Sequence, residues 1–213
     1  MKVIWAFILL VFFAAVMCIP AFGADYPALE RQRWEKATVN PRSVREIDSL
    51  LAIFERNKSR YEAVSKYGKQ GIPPIVIFCL HYRESDNSFR CHASNGDPLD
   101  HRTYHVPRGR LFSPSNPPFK WGETAIDAYY IYDKLGNVNW NDIGSMLFAC
   151  ESFNGIGNLS RGRFSSYIWS MTSEYTRGKY VDDGKYDPLF VDQQIGCAAI
   201  FKRYYQLHPK AGF

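Results

Sequence analysis

The chain has 213 residues but only five cysteines, and none falls in a Cys-x-x-Cys pair or beside a histidine cluster. Structural zinc needs four soft ligands at short spacings, so neither a metal nor a cofactor is expected. Blocks of one charge are missing too. Lys and Arg number 26 against 21 Asp and Glu, and this net +5 is spread thinly enough that nucleic acid is not an expected partner. No Pro/Ser linker or internal repeat divides the chain. Long hydrophobic runs are confined to its N-terminus.

That run, Val3 to Val16, follows Lys2 and precedes Ala21-Phe22-Gly23. An early charge, an apolar core and a small-residue cleavage site together predict a signal peptide over 1–23. An uncleaved anchor is the alternative, because the run extended to Ile19 approaches the roughly 20 residues a membrane helix needs. Lipidation of Cys18 is a weaker option, with Met17 a poor predecessor. The remainder, 24–213, is expected to be a single periplasmic or secreted domain, monomeric, touching the membrane only through its signal. Loss of Lys2 lowers the charge by one. The mild positive balance that remains suits an anionic cell wall and is equally explained by solubility.

Export leaves Cys79, Cys91, Cys150 and Cys197, an even count that predicts two disulfides. Three pairings are possible. Cys79 with Cys91 and Cys150 with Cys197 are preferred, since each would tie neighbouring helical segments, and buried free thiols are the alternative.

From Pro41 to Lys66 apolar residues recur at three and four, through Val44, Ile47, Leu51, Phe54, Tyr61 and Val64, which predicts an amphipathic helix. Gly71-Ile-Pro-Pro interrupts it and starts a second helix, Pro74 to about Asp86, apolar nearly all round and then abruptly polar. A turn-rich lobe follows, with a tight turn at Asn95-Gly96 and a short strand over Thr103–Val106. After a loop at 112–119, helical spacing resumes over Trp121–Leu135 and Asp142–Phe153. An aromatic loop, Arg163–Pro188, leads to a last helix from about Phe190 to Tyr205. The expected class is α+β, predominantly helical.

Glu84 stands where the greasy helix turns polar. Partial desolvation there favours the neutral carboxyl and suits a general acid, although a glutamate at a helix end is more often merely solvated or capping. Asp97 and Thr103 in the lobe could fold back opposite it. Glycoside hydrolysis with inversion uses such a pair of carboxyls, roughly 6.5 to 9.5 Å apart, one protonating the leaving oxygen and one activating water. Asp86 and Asp100 are rivals for the second role, and Asp97 between Gly96 and Pro98 is equally a turn residue.

The ordered blocks HYRESDNSFRCHASNGDPLDHRTYHVPRGR, NPPFKW, ESFNGIG and SSYIWSMTSEYTRGKYVDDGKYDP carry a likeness that covers roughly Asn57 to Tyr205. They resemble bacterial and phage lysozyme-like proteins of the superfamily that includes goose-type lysozymes and lytic transglycosylases. The resemblance implies a lysozyme-like fold: a buried helix ending in the catalytic glutamate, and a small hairpin lobe flanking a substrate groove. It implies cleavage of peptidoglycan glycan strands at the β-1,4 bond between N-acetylmuramic acid and N-acetylglucosamine, by a muramidase or a lytic transglycosylase, with a non-catalytic wall-binding protein as the alternative of a different class. Glu84-Ser85 looks like the Glu-Ser of lytic transglycosylases, and Ser152-Phe153-Asn154 like their Ala-Tyr-Asn, with Phe153 lacking the tyrosine hydroxyl. The Asp97 to Thr103 interval matches the Asp–Thr half of a phage-type Glu, Asp, Thr triad, while Glu84 to Asp97 is longer than in that pattern.

Tyr167, Trp169, Tyr175 and Tyr180 are the expected sugar platform, with Asp182, Asp183 and Asn154 as polar partners and Glu151 as a further groove candidate. Some of these aromatics could equally be core, Trp169 above all.

Overall fold

The computed structural model describes residues 25–111, 116–182 and 184–212. The expected signal peptide lies outside these residues, as do residues 112–115 of the 112–119 loop and Asp183. The described chain forms α1 (Tyr26–Lys36), α2 (Val44–Ser65), α3 (Pro74–Ser85), α4 (Trp121–Ile126), α5 (Ile143–Asn154), α6 (Ser166–Trp169) and α7 (Cys197–Leu207). Its small sheet is an antiparallel hairpin of β1 (Lys179–Asp182) and β2 (Lys185–Asp187), with Tyr180 opposite Tyr186. The class is α+β and mostly helical. Among the described residues no helix is long and apolar enough to cross a membrane.

Helix α3 is the centre of the core. Every residue from Ile75 to Tyr82 is buried, which its all-round apolar sequence requires, and Pro74 occupies the first turn, where no backbone donor is missed. Around it α2 presents Ile47, Leu51, Phe54, Tyr61 and Val64, and α7 presents Ala198, Ala199, Ile200 and Phe201. The helix stops at Asp86, which turns left-handed at φ 51°, and the Gln194 amide donates to the Tyr82 carbonyl at 3.0 Å and to that of Arg83 at 3.4 Å, the latter one of the groups a helix end leaves open.

Several expectations need correction. No strand forms at Thr103–Val106. The sheet lies instead within the segment read as an aromatic loop, where Gly184 at φ 72° makes the turn. The last helix begins at Cys197, because Phe190–Gly196 runs extended across the end of α3 to deliver Asp192 and Gln194. The four described cysteines are free thiols. Cys79 and Cys91 are not joined: Cys79 is fully buried on α3, whereas Cys91 is half-buried past the helix end with its Sγ on Ser88 Oγ at 3.4 Å. Cys150 and Cys197 are both buried, as free thiols.

Helix α1, absent from the sequence expectation, starts where the Asp25 carboxylate accepts from Ala28 N at 3.0 Å. It lies directly on α5, so closely that a side chain at Gly144 would come within 2.1 Å of the Pro27 carbonyl oxygen. Beneath it two carboxyls are sealed from water. Glu30 is 1 % exposed and accepts from Trp169 Nε1 at 2.9 Å and Arg33 at 3.3 Å. Glu151, at 0 %, faces Glu30 and Arg33 and lies against Ser165, so it belongs to this core and not to a groove. Burial pushes Glu30 up to about 7 and Glu151 up to about 8.

Both carboxyls hold protons in the folded protein that the unfolded chain releases above about pH 4.5. Their contribution to stability is therefore complete below that pH and is lost as pH rises through about 7 and 8. The cost is on the order of 3 kcal/mol per group, which lowers a melting midpoint by about 10 °C in a domain of this size. Thermal unfolding should show the midpoint falling from pH 5 to pH 9, and Glu151→Gln should flatten that fall; a midpoint independent of pH would contradict the assignment.

Candidate active site

Glu84 is the penultimate residue of α3 and lines a cavity beyond the end of that helix. The space beside it, about 370 Å³, is bounded by Ser94, Val106 and Pro107 from the lobe, Tyr132 and Asp133 from the chain after α4, and Ser152–Gly155 from the end of α5. A second cavity of about 740 Å³ continues between α6 and the hairpin, lined by Tyr167, Tyr180 and Lys179 among others. Val106, Asn154 and Gly155 border both, so the two spaces form one elongated groove, with Glu84 in the smaller of them.

The carboxyl of Glu84 is crowded by protein yet keeps an edge on this groove. Burial raises it to about 7. Two neighbours work the other way: the Tyr167 hydroxyl donates to Oε1 at 2.8 Å, and Arg83 adds positive charge. Tyr167 is held by the Ser165 cap of α6 and by the Arg83 guanidinium, 4.7 Å from its ring centre. Arg83 in turn binds the Asp192 carboxylate at 3.0 Å and the carbonyls of Gln194 and Ile195. Lys179 from β1 completes the chain with Asp192 at 3.0 Å.

The second carboxyl in Glu84's own cavity is Asp133, a residue not singled out by its sequence. The backbone after α4 widens into a π-helical stretch, Asp127–Tyr132, and Asp133 N–H closes an i to i+5 bond to the Ala128 carbonyl at 3.1 Å. One extra residue in the turn carries Asp133 out of α-helical register and onto the wall of Glu84's cavity. Burial pushes it up to about 6, partly offset by Arg110. Its charge also raises Glu84, so the two carboxyls sense one another.

Asp97 and Thr103 take structural positions instead. Asp97 is 2 % exposed and its oxygens accept from Tyr104 N, His105 N and His105 Nδ1, at 2.8, 3.0 and 2.6 Å. Burial resists ionisation there, but these bonds prevail and hold the carboxyl below its usual range. The Thr103 hydroxyl donates to Pro107 O and accepts from Arg110 N at 2.9 Å. Neither lines the groove; together they brace the lobe. Gly96, at φ 75°, lets that lobe seat against the helix end, where a side chain would come 2.9 Å from the Glu84 carbonyl oxygen. Arg110 then clamps it to Asp127 with two bonds of 2.8 and 2.6 Å. Asp86 is exposed, its carboxylate 3.4 Å from the Gln194 amide nitrogen, and Asp100 is exposed beside His101, so neither rival reaches Glu84.

Of the other expected site residues, Phe153, Asn154, Tyr180 and Asp182 do line the groove. Ser85 does not, since its hydroxyl turns back to the His81 carbonyl at 3.1 Å. Trp169 is fully buried on Glu30, and Tyr175 braces the extended segment by donating to Phe190 O and accepting from Asp192 N. His81 is buried among aromatic rings and pushed down to about 4, a packed neutral imidazole and not a base for the groove.

Removing the Tyr167 hydroxyl deletes a bond that favours ionised Glu84. In Tyr167→Phe, carbon-13 NMR of labelled glutamate should therefore show Glu84 titrating above its starting value of about 7. An unchanged or lower titration would refute that role.

No family model, no curated protein and no solved structure matches this chain.

Proposed function

We propose that the chain is a glycosidase that cuts the glycan strands of bacterial peptidoglycan as a muramidase, acting in the periplasm or outside the cell. The observation that carries this reading is one shared cavity holding two carboxyls of different acidity, Glu84 near 7 and Asp133 near 6, within an elongated groove. Near neutral pH that difference leaves Glu84 substantially protonated and Asp133 largely ionised, as an acid and base require. The likeness of the Glu84-Ser85 and Ser152-Phe153-Asn154 blocks to lysozyme-like proteins supports the substrate class.

In the proposed reaction the glycan lies along the groove with a pyranose ring against Tyr180. Glu84 gives its proton to the bridging oxygen, while Asp133 takes one from water as that water attacks the anomeric carbon from the opposite face. Tyr167 orients Glu84 and accommodates the carboxylate it becomes. The bracing roles of Asp97 and Thr103 favour a second reading, a lytic transglycosylase, in which the muramyl hydroxyl attacks internally and Glu84 serves as acid and then base.

Purified cell walls test both. Glu84→Gln should slow clearance about 1,000-fold, within the range lost with a general acid; full activity would sink the assignment of Glu84, and no clearance by the wild type would favour a non-catalytic wall-binding protein. The wild-type rate should rise with pH through about 6 as Asp133 ionises and fall through about 7 as Glu84 loses its proton. Muropeptide mass spectrometry should show reducing ends, with Asp133→Asn about 100-fold slower. Predominance of products lighter by one water would replace hydrolysis with internal transfer.

A further inference from the structure

The larger of the two spaces in the groove carries a positive charge that the chemistry at Glu84 does not use. Three cations line it: Arg83 from α3, Lys179 from β1 and Arg161 from the turn that follows α5. Arg83 and Lys179 share a single carboxylate, Asp192, each at 3.0 Å, so one positive charge of that group is left over. Arg161 has no carboxylate partner among the described residues. It spends one of its five N–H groups on the Gly157 carbonyl, at 3.0 Å. Among the described residues one carboxylate lines the space, Asp182, and Lys185 binds it at 2.7 Å. His105, on the lobe side, is turned to Asp97.

We propose that this space is a subsite for the acidic stem peptide carried by muramic acid, with Arg161 binding a peptide carboxylate beside a sugar stacked on Tyr180. The inference rests on the muramidase reading of the adjoining cavity and narrows its substrate from a bare glycan to a peptide-bearing one.

The placement of Arg161 is what argues for a branch and not for the glycan itself. A Cβ built on Gly157 would meet Arg161 Nη1 at 3.7 Å and the Tyr180 ring at 3.8 Å, so the cation and the sugar platform border the same spot. A pyranose on that ring offers hydroxyls and an acetamide, none of them charged. The stem peptide leaves a muramyl ring sideways through its lactyl group, and its first carboxylates lie within a few bonds of the sugar. A guanidinium matches a carboxylate with two parallel N–H groups, and four of the five on Arg161 remain for it. The surplus charge of Arg83 and Lys179 lies behind this contact and favours the same sign of ligand. At about 740 Å³ the space is twice the size of Glu84's cavity and within the roughly 300–1,000 Å³ of pockets that enclose whole small ligands, which leaves room for a peptide beside a ring.

The test is an NMR titration of isotope-labelled protein with N-acetyl-L-alanyl-γ-D-glutamyl-diaminopimelate, whose acetyl group stands in for the lactyl link. Saturable shifts should centre on residues 154–161 and 179–182. The same peptide with its carboxylates amidated should bind about tenfold more weakly, the loss expected for one hydrogen bond between charged groups. Arg161→Gln should cost the ionised peptide about tenfold, and Arg161→Lys less, because the charge survives without the fork. Spectra of the free variants check that each is folded; if either is not, the comparison of the two peptides on the wild type decides. No saturable shift, shifts centred elsewhere, equal affinity for the two peptides, or wild-type affinity in Arg161→Gln overturns the proposal. Equal affinity for inorganic phosphate also overturns it, by showing a general anion site. Peptide binding by a protein that fails to clear cell walls would sink the glycosidase reading alone, whereas clearance without peptide binding would sink this subsite alone.

Discussion

The Arg83 guanidinium and the Asp192 carboxylate are both almost entirely withdrawn from water, 3.0 Å apart, at the point where the central helix meets the groove. Removing two charges from solvent is expensive, and a buried pair often adds little net stability. Breaking one side is different, because a charge is then left buried alone. The pair therefore acts as a register pin. Asp192 holds the extended segment before α7 and receives Lys179 from the hairpin, while Arg83 lies over Tyr167 and so fixes the hydroxyl that reaches Glu84. Helices α3 and α6, the hairpin and the segment leading to α7 are positioned by this one contact and its immediate neighbours.

The acidity of Glu84 follows from the same arrangement. Burial alone would hold the carboxyl neutral over a wide range, whereas Tyr167 and Arg83 favour its ionised form, and Cys197 and Asp133 oppose them. A value near neutrality is the balance of these influences. An acid that must give up its proton and recover it needs such a balance more than an extreme shift.

The parts of the fold legible in the sequence are those whose burial is periodic or complete. Helices α2, α3 and α5 announce themselves through apolar spacing or an apolar run, and Glu84 through its place at the edge of that run. Helix α1 escapes because its buried side chain is a glutamate, Glu30, and its surface is otherwise charged. The hairpin is hidden by half-exposed tyrosines that look like a platform. Asp133 was invisible for a different reason: the π-helical turn that aims it depends on tertiary packing, and α-helical counting from Trp121 gives it another direction. Asp97 shows the opposite error. A carboxyl in a turn beside the right threonine satisfied a spacing, but three hydrogen bonds from Tyr104 and His105 occupy it.

Perturbed acidity alone does not distinguish a working group from a packed one. Glu30, Glu84 and Glu151 are all raised by the same cause, burial, to about 7, 7 and 8. The difference lies in what each carboxyl faces. Glu30 and Glu151 are closed off by α1, Arg33 and Trp169, with no space in which a substrate atom could approach. Glu84 has a cavity on its open edge, a second carboxyl across that cavity and a hydrogen-bond donor behind it. A proton held at about pH 7 has chemical use only where it can be delivered, and among these three glutamates only Glu84 borders the groove.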